Sequence, residues 1–199
     1  MTQEINLLYI KSTGHVIAAF TRNGEPAKPE ATADAFVGDG LHLRGFGESA
    51  DFYSQKDFND ADLVIPAAQV GIFRTSYDST ILTAPFTWQL INLDTTPTLS
   101  KFNNAKPSLP TTPVTPTANP TLTLTLTGSV IATTNVLFVL VSPSPADPTA
   151  TPSKVDPPSP TDPNQPIDIP LPASLASGEY YSIVFLAGYP ACVLPFQVP

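Results

Sequence analysis

The chain has 199 residues, with 9 basic and 17 acidic side chains, a formal net charge of −8, 42% hydrophobic residues, 13% charged residues and one cysteine. That length holds one large domain or two of about 90–100 residues. The acidity argues against nucleic acid or an anionic membrane as partner, and a lone cysteine excludes an intrachain disulfide or a cysteine-rich metal site.

Proline divides the sequence. Of 24 prolines, four (Pro26, Pro29, Pro66, Pro85) precede residue 97 and the other 20 run from Pro97 onward. Proline fixes φ and removes a backbone donor, so the second half reads as all-β, with strands confined between prolines. Residues 1–96 carry 12 acidic and 6 basic side chains, whereas residues 97–199 carry 5 and 3. The first residues, Met1-Thr2-Gln3-Glu4-Ile5, lack the basic and apolar regions of a secretory signal. The longest aliphatic or aromatic run is 136–141, far short of the roughly 18 residues of a membrane helix. Cytoplasmic synthesis is expected, with release as part of a larger particle left open.

In chain order, residues 4–10 and 15–21 are β-rich runs joined by Lys11-Ser12-Thr13-Gly14, a hairpin in which Gly14 supplies positive φ. Residues 23–30 form a loop. Glycines at 38, 40, 45 and 47 punctuate a segment with Leu41, Leu43 and Phe46 on strand-like spacing. Residues 51–62 are acidic and aromatic and fit a single helical turn. Residues 63–65, 69–74 and 86–91 read as further strands. Five or six short strands in residues 1–94 predict a small β-barrel or sandwich.

Residues 95–120 read as a proline-rich linker. From Pro107 to Pro120 a proline recurs about every third residue, which favours polyproline II and a span of about 40 Å. A strap along a domain surface is the alternative. The run Thr121-Leu-Thr-Leu-Thr-Leu-Thr127 then alternates perfectly, placing Leu122, Leu124 and Leu126 on one face. Residues 135–142 read as an apolar strand, 142–166 as a long loop with nine prolines, 167–171 as a short edge strand, and 179–186 and 192–198 as a closing pair.

The motif Leu175-x-x-Gly178-x-Tyr180, followed by the second strand of the closing pair, resembles the tyrosine corner of immunoglobulin-like and fibronectin-type-III-like sandwiches. The resemblance covers roughly residues 118–199 and implies such a sandwich over 121–199. The missing cysteine pair and strand-C tryptophan exclude an antibody-type domain. The fold class expected is therefore all-β: an N-terminal small barrel or sandwich, a linker and a C-terminal immunoglobulin-like sandwich. These modules commonly serve as spacers and adhesive ornaments, and the chain has a weaker resemblance to accessory proteins of phage-tail-like or contractile injection particles.

Chemical motifs are sparse. His15 and His42 lie 27 residues apart, without the short spacing of metal motifs, and read as surface or edge-strand histidines. No Gly-x-Ser-x-Gly elbow is present. Cys192 falls in an apolar strand, as a buried inert thiol would. Asp57 and Asn59 fit a calcium loop, but Ala61 and Asp62 stand where a ligand and glycine are needed. Asp39, Glu48 and Asp51 complete only a solvated acidic loop. No cofactor or metal is expected. Most aromatics read as core. Tyr53 and Phe58, among acids, and Tyr189 and Pro190, at a turn tip, are the candidate partner-binding residues.

The function expected is a non-catalytic structural or assembly protein that contacts protein subunits and homo-oligomerises. A carbohydrate- or cell-surface-binding module using rings such as Tyr77 and Trp88 is the alternative. A small β-fold hydrolase built on His15 or His42 beside a carboxylate stands third.

Overall fold

The computed structural model of the chain describes residues 4–21, 32–38, 40–43, 63–103, 121–124, 137–143, 151–155, 167–170 and 177–198. Strands dominate these residues and the helices are single turns, so the fold is mainly β. The chain divides into two compact units, one of Met1–His42 and Val64–Phe102, the other of Leu43–Leu63 and Asn103–Pro199. Among the described residues no helix is long and apolar enough to cross a membrane.

The first unit is built on β1 (Glu4–Ile10), β2 (Val16–Thr21) and β5 (Val70–Ser76), an antiparallel sheet in the order β2-β1-β5. Ile5, Leu7, Leu8 and Ile10 of β1 are all buried. Successive strand residues point to opposite faces, so both faces of this central strand are covered. On one of them, Ile5, Leu7 and Val16 cluster with Ile81, and Phe73, Trp88 and Leu99 pack around them. Each such aliphatic side chain contributes about 1.5–3 kcal/mol when fully buried.

Ile81 comes from α2 (Ser79–Thr83), a five-residue helix. Asp78 starts it as an extended N-cap, accepting from the Thr80 N–H at 2.8 Å. The cap satisfies a donor that the short helix cannot, and it turns Ile81 toward the sheet. Beside it, β6 (Trp88–Ile91) and β7 (Thr98–Lys101) form a hairpin. A second pair joins β3 (Gly40–Leu43) to β4 (Leu63–Pro66).

The Lys11–Gly14 hairpin is as expected, with Gly14 at φ +76°. Its position has a second cause. The Leu90 N–H donates to the Gly14 carbonyl at 2.7 Å, and a Cβ on Gly14 would collide with the Leu90 carbonyl. Glycine is thus required both by the turn and by the approach of β6.

The second unit contains β8 (Thr121–Leu124), β9 (Leu137–Pro143), β10 (Thr151–Val155), β11 (Ile167–Pro170), β12 (Gly178–Leu186) and β13 (Cys192–Val198). Four of these make an antiparallel sheet in the order β10-β9-β12-β13, and β11 pairs with β8. Proline obeys the edge rule here. Pro152 and Pro195 lie inside β10 and β13, the two edge strands, while Pro143 and Pro170 close β9 and β11. The inner strands carry no proline between their ends, where a missing donor would break a ladder.

Several expectations are corrected by local structure. The segment 34–37, for which no element was expected, is helical, as α1 (Asp34–Val37), so Phe36 lies on a helix turn preceding β3. The segment 98–101, read as the start of a linker, is β7, because its alternating residues pair with β6. The segment 151–155, read as loop, is β10, because proline tolerance at an edge lets Pro152 lie opposite Leu140. The acidic segment 51–62 and the proline run 107–120 lie outside the described residues.

Candidate functional site

Tyr53 and Phe58 lie outside the described residues. Tyr189 and Pro190 lie in the turn between β12 and β13, as expected, but not as a projecting tip. Tyr189 is 1% exposed and Pro190 half-buried, and Ala187 and Ala191 are buried on either side. The Tyr189 N–H donates to the Leu186 carbonyl at 3.0 Å. The turn therefore folds its ring inward, and burial pushes the Tyr189 hydroxyl pKa upward. A signal existed in the sequence, since residues 187–191 contain no charged side chain to hold the turn in water. Upstream, Ile183, Val184, Phe185 and Leu186 are buried consecutively, so both faces of β12 are covered.

His15 is also corrected. It is 2% exposed, not a surface histidine. It follows Gly14 and bridges to Gln89, so the approach of β6 that requires Gly14 also buries His15. Its Nδ1 lies 2.8 Å from Thr13 Oγ1, and its ring meets Phe102 at 5.0 Å between centroids. Thr13 and Gln89 are buried with it. The immediate neighbours in sequence add two buried polar atoms without a hydrogen-bond partner, Ser12 Oγ and Trp88 Nε1. This polar node joins the first hairpin to β6 and to the end of β7. Its two halves, residues 12–15 and 88–102, are 73–90 residues apart in the chain, and no local sequence pattern announces it. His42 lies on β3 and Cys192 opens β13.

Four further charged groups among the described residues of the first unit also serve the fold. Asp78 accepts from both the N–H and the hydroxyl of Thr80, at 2.8 and 2.7 Å. The Thr80 hydroxyl is the main cause, with the Thr80 N–H next, that holds its carboxyl below the ordinary aspartate value. Arg74 Nε donates to Asn6 Oδ1 at 3.3 Å. Lys11 Nζ donates to the Ala68 carbonyl at 3.1 Å. Lys101 Nζ stands 4.9 Å from the centre of the Trp88 ring, a cation–π contact that covers one face of the only tryptophan. Among the described residues no group of three or more His, Cys, Asp or Glu side chains could hold a metal ion.

Large apolar side chains stand exposed at Phe36, Tyr77 and Ile91. Tyr77 follows β5 directly and is 46% exposed. No family model matches the chain, and no curated protein matches its sequence.

Proposed function

We propose that the chain is a non-catalytic structural protein of a larger assembly, of the phage-tail-like kind, whose first unit docks on other protein subunits. The observation that carries this reading is how the polar side chains of the first unit are used. His15, Asp78, Arg74, Lys11 and Lys101 each hold a hairpin, a helix start, a strand or a ring in place. Among the described residues, large apolar side chains are exposed for contact at Phe36, Tyr77 and Ile91. Aromatic and aliphatic anchors of this type suit protein interfaces.

In this reading the second unit is an immunoglobulin-like sandwich that projects or oligomerises. The supporting feature is β12, which begins at Gly178 and Tyr180 and lies between β9 and its hairpin partner β13, as the strand after a tyrosine corner does. Fold alone fixes no function.

Mass photometry of the purified chain, alone and mixed with the products of neighbouring genes, tests the reading. A ring-sized oligomer or a stable complex is expected. A strict monomer that joins no complex and binds a simple glycan overturns it in favour of a carbohydrate module. Tyr77 is the ring that favours that second reading, because Lys101 already occupies a face of Trp88.

A further inference from the structure

The outer edge of β5 is unlike the edges of the four-stranded sheet. The β1–β5 register ends with Ile10 opposite Val70, and one step further the Lys11 N–H donates to the Gln69 carbonyl at 2.8 Å. In an antiparallel ladder the N–H and C=O of one residue point to the same side, and the side alternates along the strand. Gly71, Phe73 and Thr75 therefore bond to β1, whereas Val70, Ile72, Arg74 and Ser76 turn their backbone groups outward. The other side of β1 agrees, since Ile10 donates to His15 across β2.

The Val70 N–H closes on the Ala67 carbonyl. The outward N–H and C=O groups of Ile72 and Arg74 meet no partner among the described residues. Arg74 and Ser76 are exposed and Ile72 is half-buried. Such an edge is a template for another strand. The other edge of the same sheet, β2, is flanked by α2, the turn Pro85–Thr87 and β6. The four-stranded sheet carries Pro152 and Pro195 in its edges. β5 is seven residues long and has no proline.

We propose that the β5 edge pairs antiparallel with β5 of a second copy of this chain, about a two-fold axis at Phe73. This deepens the assembly reading and rests on it. Three symmetric registers centre on the strand. An axis at Arg74 sets Arg74 against its own copy, which like charges disfavour. An axis at Ile72 leaves Ser76 beyond the partner β5. An axis at Phe73 spans the whole strand: outward Ile72 meets Arg74 of the second copy, the outward Val70 carbonyl meets the Ser76 N–H, and Phe73 meets Phe73. Outward residues then face outward residues, as the ladder demands. The pair at the axis is the close, non-hydrogen-bonded kind, where aromatic side chains interact best. Arg74 stays clear of its copy and keeps Asn6 as a side-chain partner. The product is one six-stranded sheet closed by an isologous contact.

Two measurements on the full chain test this: light scattering across a concentration series, and residue-resolved amide exchange. The expected result is a dimer in which the Ile72 and Arg74 amides exchange slowly, speeding at least tenfold on dilution to monomer. Ile72→Pro removes an outward donor that the fold does not use, and it is expected to weaken the dimer at least tenfold with Trp88 fluorescence retained. A monomer with fast Ile72 and Arg74 amides overturns the proposal. So does a monomer in which they are slow, because the chain's own residues then cover the edge. A dimer with fast amides places the contact elsewhere and overturns it too. Should Ile72→Pro fail to fold, the exchange data decide alone. A chain that enters a larger complex while its β5 amides stay fast refutes this contact and leaves the assembly reading standing.

Discussion

Gly14 and Leu90 approach so closely that the Leu90 carbonyl occupies the space of a Gly14 Cβ, while the Leu90 N–H bonds to the Gly14 carbonyl. Two strands distant in sequence are held together through a position with no side chain. Gly14→Ala is expected to cost about 1–3 kcal/mol for the left-handed backbone alone, with the collision adding to it. Urea unfolding followed by Trp88 fluorescence measures the loss, and an unchanged midpoint contradicts the geometry.

His15 and Thr13 form a buried pair beneath Phe102. His15→Phe keeps a ring of similar size but leaves the Thr13 hydroxyl without its bond. The expected loss is about 1–3 kcal/mol, the cost of a buried polar group left unpaired. Adding Thr13→Val should recover part of it, because both partners are then apolar. A double-mutant cycle in urea reads the coupling, and strict additivity of the two changes refutes it.

Asp78 has a carboxyl pKa held below its usual value, chiefly by the Thr80 hydroxyl. Its unfolded value is the higher one, so the unfolded chain takes up the proton first as pH falls. The stabilisation is present above the ordinary aspartate value of 3.8 and disappears as pH drops through the folded value. Asp78→Asn keeps a capping oxygen but not the charge. The variant is expected to lose this part of the acid-limb slope in pH-dependent urea unfolding.

Tyr9 lies across the sheet from Gly71, with its ring filling the place of a side chain there. Burial raises its hydroxyl pKa above 10.0. The unfolded tyrosine loses its proton first, so stability is unaffected below pH about 10 and falls as pH climbs through the folded value. Tyr9→Phe is expected to flatten that alkaline decline, and ultraviolet titration of the folded protein should lose one late-titrating tyrosine. Gly71→Ala should expel the ring, at about 1–3 kcal/mol for overpacking.

Local pattern made much of the fold legible. The β1 and β2 runs and the hairpin at Gly14 could be read from alternation and one glycine, as could β5, β12 and β13. Two short strands, β7 and β10, could not. β7 and β10 have neither strong apolarity nor a strand-like surrounding, and each exists through its partner, β6 or β9. Contact residues were less legible still. Tyr189 looked like a turn tip because Gly188 and Pro190 flank it, whereas its burial depends on what the hairpin folds against. His15 needed Gln89 and Phe102 to reveal it as interior, and neither is near it in the chain.

Pro152 and Pro195 give the four-stranded sheet a low lateral valency. Each edge strand is short of one donor, so an incoming chain finds an interrupted ladder on either side. A unit limited in this way resists growth into a ribbon when many copies crowd together. That restraint leaves any contact between copies to other surfaces.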